Sequence, residues 1–133
     1  MNNNERIAKL LKKANNFFFA TVSDDQPNVR PFNAVVVFEG KVYLYTNNRN
    51  SSYTQLKANP KLGICALFDE DRWIKIKGEA VFDSRVEAKK AMLDANPNLR
   101  KFYSENDKIF EVFYISNLTA KIHSTYQSPE IIC

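Results

Sequence analysis

The sequence predicts an α+β protein built on an antiparallel β-barrel with helices at its periphery. Six or seven segments are rich in aromatic and β-branched residues, and short turns rather than helices separate most of them. The regular alternation of strand and helix that indicates a parallel sheet is missing. Because 133 residues are typical of one domain and 44% of them are hydrophobic, we expect a single domain over 1–133 with a real core.

The first element is an amphipathic helix over residues 4–14, inside an N-terminal helical segment 1–15. Asn4 can cap this helix, and its apolar residues recur at helical spacing: Ile7, Leu10, Leu11 and Ala14. Since this apolar face is narrow, we expect it to pack onto the domain rather than onto a membrane surface.

Strands follow the first helix. After Phe17–Val22 and a polar turn, Asn28–Phe38 and Lys41–Thr46 are expected to form a hairpin about a Glu39-Gly40 turn. A short helix begins at Asn50 or Ser51, either of which can cap it, and runs through Lys57.

The second half of the chain continues with a strand predicted to be buried over Leu62–Phe68. Trp73–Phe82 alternates in its first half, with Trp73, Lys75 and Lys77 on one face and Ile74 and Ile76 on the other. The pattern Ser84-x-x-Glu87 predicts a capping box and a helix to about Ala95. The remaining segments are a turn of helix over 98–103, strands over 108–115 and 118–124, and a tail over 125–133.

Charge and cysteine content narrow the class of protein. The formal charge is +4 and the basic residues are scattered, which suits a small anionic ligand at least as well as nucleic acid, so no nucleic-acid partner is expected. Cys65 and Cys133 lack metal-ligand or CxxC neighbours, and we interpret them as a buried small hydrophobe and a frayed terminal thiol. With no disulfide framework, signal peptide or transmembrane stretch, a cytoplasmic protein is expected.

Catalytic side chains are scarce. His123 is the only histidine and has no ligand or triad partner at a suitable spacing, so no metal site is expected. Glycine-rich phosphate loops are also missing. If the protein is an enzyme, a cofactor has to carry the reaction.

One constellation is chemically suggestive. On an extended strand Arg30 and Phe32 point to one face, and Pro31 and Asn33 to the other. Because proline cannot donate to a ladder, this strand is expected at an edge, where the backbone of Asn33 through Val35 is free to bind a planar heterocycle.

The following strand and helix add polar groups. Tyr45, Thr46 and Asn47 end one strand, while Ser51 and Ser52 open the helix, where hydroxyls and backbone amides suit a phosphate. Lys57 lies on the same helix, one turn further on. Taken singly, each of these residues also has an ordinary structural explanation.

The order and spacing of several segments resemble the pyridoxamine-phosphate-oxidase-like family of FMN-binding split barrels. The similar parts cover the chain from the first helix to about His123. They are FFFATVSDDQPNVRPFNAVVVFEGKVYLYTNN, the helix ending LKANPKLGICAL, WIKIKGEAVF, and IFEVFYI. Within the family, small uncharacterised flavoproteins and nitroimidazole-resistance reductases are most similar.

The resemblance implies a six-stranded antiparallel split barrel and a homodimer with FMN at its interface. By position, Arg30 would meet the FMN phosphate or ribityl chain. The backbone from Pro31 through Val35, including Phe32, Asn33 and Ala34, would line the isoalloxazine edge. The ribityl-phosphate region would be held by Tyr45, Thr46 and Asn47, and the second subunit would contribute Trp73 and Lys75.

The chain departs from the oxidases proper at the start of the second helix, where Ser51 and Ser52 replace an Arg-Lys pair. Arg49 or Lys57 would have to substitute for the lost charges. The substrate residues that the true oxidases carry near the C-terminus are also missing, so vitamin B6 oxidation is not expected.

The leading interpretation is an FMN-dependent oxidoreductase that passes electrons from a reduced nicotinamide to a small acceptor such as a nitro or quinone-like compound. The alternatives are a non-catalytic flavin or haem carrier or sensor, and a plain interaction domain without cofactor.

Overall fold

Two tight turns set the register of the first strands in the structure, a computed structural model that describes residues 1–133. Asp24 and Asp25, both at positive φ (49° and 67°), join β1 (Phe17–Ser23) to β2 (Gln26–Phe32). Glu39 and Gly40, at φ 50° and 75°, join β3 (Val36–Phe38) to β4 (Lys41–Asn47). Positive φ at both central residues is what a two-residue hairpin turn with the correct twist requires.

The predicted long strand Asn28–Phe38 is therefore wrong. Its first part is β2 and pairs only with β1, whereas its last part is the separate strand β3, which pairs with β4 as expected around the Glu39-Gly40 turn. Residues 33–35 between them belong to no strand. Pro31 lies on an edge strand, as its missing N–H predicts.

The remaining elements complete one antiparallel sheet. They are α1 (Asn3–Ala14), α2 (Ser51–Ala58), β5 (Lys61–Leu67), β6 (Arg72–Asp83), α3 (Val86–Ala95), a 3-10 helix (Pro97–Lys101), β7 (Phe110–Ser124) and β8 (Glu130–Ile131). The strand order is β2-β1-β5-β6-β7-β4-β3, and β8 pairs with the second half of β7. The sheet has eight strands and does not close, so the expected six-strand count is wrong although the antiparallel architecture is confirmed.

The last two predicted strands form the single strand β7. Lys77 pairs with Thr119 but Glu79 pairs with Ser116, so β7 carries one extra residue in a bulge opposite Gly78. Asn117 adopts φ 50° in this bulge. The bulge reverses the alternation of β7 without breaking its pairing, which explains why the sequence pattern suggested two strands.

Other predictions failed for local reasons. Asn2 rather than Asn4 caps α1, and the Asn4 amide donates to the Gly40 carbonyl instead. The capping box at Ser84 does not form, because α3 begins at Val86 after Arg85, whose backbone N–H bonds to Asp83.

The tail was expected to be frayed, but Glu130–Ile131 forms β8 and the backbone of Cys133 pairs with Ala120. Strand β5 was expected to be buried, but only alternate residues such as Ile64 are; Cys65 is exposed on the other face. The physical reason is that no helix covers that face of β5.

Two hydrophobic clusters flank the sheet. The larger lies inside its curve, where Ile7 and Leu11 of α1 are fully buried against β1, β4, β5, β6 and β7. The smaller lies under α3, where Met92 packs over Tyr43 and Phe110. The outer face of β1, β2 and β5 has no cover and exposes Phe18, Val29 and Leu67. None of the helices is long and apolar enough to span a bilayer.

The bulge predicts an asymmetric response to alanine. A Cβ on Gly78 would collide with the Ile115 side chain and lie 2.8 Å from the Ser116 carbonyl oxygen, so Gly78→Ala should lower the free energy of unfolding by about 1–3 kcal/mol. At Gly63, the nearest atom to an added Cβ is 3.9 Å away, so Gly63→Ala should change the free energy of unfolding by less than about 1 kcal/mol. Urea denaturation of both variants tests this, and equal effects would contradict it.

Candidate functional site

Arg30 is half-buried between β2, β1 and α2. Its guanidinium donates to Thr21 Oγ1 at 3.0 Å, to Gln55 Oε1 at 3.1 Å and to the Phe19 carbonyl at 3.4 Å. It also lies over the Phe19 ring, 5.3 Å from its centroid. Burial lowers the pKa of the guanidinium. Since every partner is neutral, the charge of Arg30 has no counter-ion within the fold.

The N-terminus of α2, one turn before the Arg30 partner Gln55, adds neutral donors. Asn50 precedes the helix but makes no side-chain capping bond, so its side chain satisfies none of the first-turn N–H groups. Ser52 shares a 2.7 Å hydrogen bond with Thr46, and both are buried, while Ser51 is exposed. Ser52 lies one turn from Gln55, so the structure brings the Arg30 cluster and the serines to one helix.

A cavity of about 550 Å³ lies on the other side of β4, between residues 33–34, Tyr45 and the segment that follows α3. Burial raises the pKa of the Tyr45 hydroxyl. The Phe32 and Tyr45 rings are 4.8 Å apart and separate the cavity from the main core. The lining is neutral and rich in amides and aromatic rings: Asn15, Asn33, Ala34, Tyr45, Ala95, Asn96, Pro97, Asn98, Leu99, Phe102 and Tyr103.

The segment predicted to line a flavin edge is only partly open. Pro31 and Asn33 are exposed, but the side chains of Ala34 and Val35 are buried. The Val35 carbonyl accepts a hydrogen bond from the Asn96 amide at 3.3 Å. Only the backbone before Val35 therefore remains available to a ligand.

The other predicted residues are dispersed. Asn47 faces the cavity wall, where its amide donates to the Tyr103 hydroxyl at 3.3 Å. Lys57 points away from Arg30, because its ammonium lies over the Tyr53 and Phe82 rings at 5.7 and 5.3 Å. The structure does not bring Lys57 to the two serines.

Trp73 and Lys75 lie on the outer face of β6, the opposite side of the sheet from Arg30. Trp73 stacks on His123 with ring centroids 5.7 Å apart and planes 11° from parallel. Sequence reasoning placed Lys77 on the same face as Trp73 and Lys75 but did not assign it to a site. It missed Thr119 and Lys121 on the neighbouring strand, and also Thr21 and Gln55 beside Arg30. The alternation of lysines in WIKIKG is visible in the sequence, but the strand that pairs with this segment is not.

The family model described as pyridoxamine 5'-phosphate oxidase matches residues 4–115. The chain belongs to the pyridoxamine 5'-phosphate oxidase family. None of the curated proteins compared with the chain matches it.

Solved structures carry the same fold. A NimC/NimA family protein from Clostridium acetobutylicum is 36% identical, with a TM-score of 0.92 over 98% of this chain and 94% of that chain. A heme binding protein from Mycobacterium smegmatis is 14% identical (TM-score 0.67, 92% of this chain and 57% of that one). A pyridoxamine 5'-phosphate oxidase-related, FMN binding protein from Nostoc punctiforme is also 14% identical (TM-score 0.62, 97% and 96%). At 14% identity the last two show only that the fold is shared; their descriptions name different ligands, haem and FMN.

Proposed function

We propose that this family member binds FMN and acts as an oxidoreductase, passing electrons from a reduced nicotinamide to a small acceptor such as a nitro or quinone-like compound. The observation that carries the proposal is the half-buried Arg30, whose charge meets only neutral partners. The 36% identity to a NimC/NimA family protein supports it.

The donor set around Arg30 fits a phosphate ester. Guanidinium groups pair with phosphate through charge-assisted hydrogen bonds, and a helix N-terminus that no side chain caps offers backbone N–H groups to an anion. In this proposal the exposed Ser51 supplies a hydroxyl where the oxidases have a cation, while Ser52, buried and hydrogen-bonded to Thr46, supplies its backbone N–H. Arg49, exposed beside them, supplies the second charge, because Lys57 points elsewhere.

The neutral cavity is suited to bind the electron acceptor. When bound, FMN would supply the electron-transfer chemistry. Asn33 and Tyr45 would orient an uncharged planar acceptor, and the aromatic walls would exclude water. The lining contains no cation that could hold a substrate phosphate, which supports a function other than pyridoxamine phosphate oxidation.

A homodimer would bring Trp73 and Lys75 to the cofactor of the second subunit, because within one subunit they lie on the opposite face of the sheet from Arg30. The exposed side chains of Phe18, Val29 and Leu67 form an apolar area on the outer face, which also carries Trp73 and Lys75. Their exposed fractions are 55%, 67% and 59%. The exposed thiols fit a reducing compartment, and we propose a cytoplasmic location.

Haem binding is the weaker alternative. The cavity lining contains no histidine, cysteine or methionine, and its possible haem ligands are Tyr45 and Tyr103. Burial raises the pKa of Tyr45 and so disfavours the phenolate that would bind iron, while His123 stacks on Trp73 elsewhere. A flavin carrier without turnover is the alternative that experiment has to separate from an enzyme.

Replacing Arg30 tests the cofactor proposal. The purified protein should show the visible absorption of flavin after dialysis or bind added FMN, and Arg30→Ala should weaken FMN binding by about 1.5–3 kcal/mol because a charged hydrogen-bond donor is lost. Fluorescence titration of the cofactor-free protein measures this. Arg6→Ala is the control, since Arg6 forms only an exposed pair with Glu130. Unchanged FMN affinity in Arg30→Ala would refute the role of Arg30.

Anaerobic mixing with NADH or NADPH separates an enzyme from a carrier. We expect the flavin absorption to bleach and to return on addition of a quinone or a nitroaromatic compound, because the cofactor is reduced and then reoxidised. A flavin that neither nicotinamide reduces would rule out the proposed electron donor.

Charging the apolar area tests the dimer. Phe18→Glu should shift the sedimentation of the protein from dimer to monomer, because a carboxylate would be buried without a partner between subunits. Phe102→Glu is the matched control, since Phe102 is 73% exposed on the α3 side of the sheet. A wild-type monomer, or a Phe18→Glu dimer, would overturn this assignment.

A further inference from the structure

Three lysines gather on the outer face of β6 and β7. Lys75, Lys77 and Lys121 line a shallow cavity of about 180 Å³ together with Thr119, Ala120 and His123. No carboxylate lines this cavity, and none of the three lysines takes part in an ion pair of the fold. The cluster, called here the lysine cluster, is therefore a concentration of uncompensated positive charge.

The pairing of the strands makes this arrangement costly. Lys75 and Lys121 are directly opposite each other in the β6–β7 ladder, and like charges in that position destabilise a sheet. Lys61, by contrast, is opposite Glu79 in the β5–β6 ladder. The charge of Lys61 is thus compensated across the ladder, whereas Lys75 and Lys121 repel each other. A bound anion would relieve this repulsion.

An aromatic platform adjoins the lysine cluster. Trp73 and His123 occupy the next directly opposed position of the same two strands on the same face, and their rings are stacked in parallel. Stacked rings beside cations are suited to a ligand that combines a planar ring with a phosphate.

We propose that the lysine cluster binds the phosphate of a nucleotide. A volume of about 180 Å³ is below the range of roughly 300–1,000 Å³ for a whole drug-sized ligand, so the cavity holds the phosphate or pyrophosphate and leaves the ring to the platform. The nucleotide that we assign to it is the reduced nicotinamide dinucleotide, because Arg30 and the start of α2 already take the FMN phosphate in the proposed function. Only this choice of source rests on the proposed function.

Inorganic pyrophosphate is the first probe, because its binding needs no flavin. It should raise the Tm of the wild-type protein and shift backbone NMR signals of β6 and β7, with affinity falling as salt rises. Lys75→Gln/Lys121→Gln should weaken pyrophosphate binding by about tenfold or more. Lys61→Gln is the matched control and should bind as the wild type does.

The opposed pair gives a second readout that a merely structural role would not produce. Lys121→Gln should raise the Tm of the ligand-free protein, because it removes the cross-strand repulsion, while lowering pyrophosphate affinity. If the role of Lys121 were merely structural, Lys121→Gln would lower the Tm and leave pyrophosphate affinity unchanged.

Two further titrations identify the source of the phosphate. If the lysine cluster instead meets the FMN of a second subunit, the double variant should bind FMN at least about tenfold more weakly in the cofactor-free protein, and the assignment to the dinucleotide is overturned. If the dinucleotide is the ligand, FMN affinity should stay unchanged and ADP-ribose should bind the double variant more weakly. A wild-type protein that binds pyrophosphate but no FMN would refute the proposed function and leave the lysine cluster in place.

The proposal is overturned if the wild type and the double variant bind pyrophosphate equally or not at all. It is also overturned if the substitutions change only the oligomeric state, which would assign the lysines to contact between subunits.

Discussion

The long antiparallel pairing of β6 with β7 organises the whole sheet. Every other strand is joined to these two directly or through one or two intervening strands, and the bulge at Asn117 reverses which residues of β7 face the core. Before the bulge Phe113 is inside, and after it Ala120 is inside. Gly78 permits the close approach of the two backbones at this point, because a side chain there would meet Ser116.

The outer face of the sheet differs between the two halves of β7. Around the first half of β7, α3 covers the outer face and bounds the neutral cavity. Around the second half no helix covers it, so the lysine cluster is exposed and the Trp73–His123 stack is half-buried beside an apolar area. The Arg30 cluster lies inside the curve of the sheet, so three chemically distinct surfaces occupy three separate places.

Arg30 shows how much of the site the sequence predicts. A cation on an edge strand, followed by a polar helix start, was visible from the spacing alone, and the structure brings Arg30 to that helix. Its neutral partners Thr21 and Gln55 come from a different strand and from the helix interior, so only their packing reveals that the charge is left uncompensated. Lys57 failed as a partner because its position on the helix directs it to Phe82.

Local sequence patterns are enough to predict the antiparallel class, the three α-helices, the Glu39-Gly40 turn and the alternation of Trp73 and Lys75 with isoleucines. These follow from local periodicity and turn chemistry, which act within a few residues. Three features emerge only in the folded chain: residues 28–38 divide between two strands, β7 continues through its bulge, and Lys75 lies opposite Lys121. Those outcomes depend on which strand lies beside which, and a pairing between residues 46 positions apart leaves no trace in the local pattern of either strand.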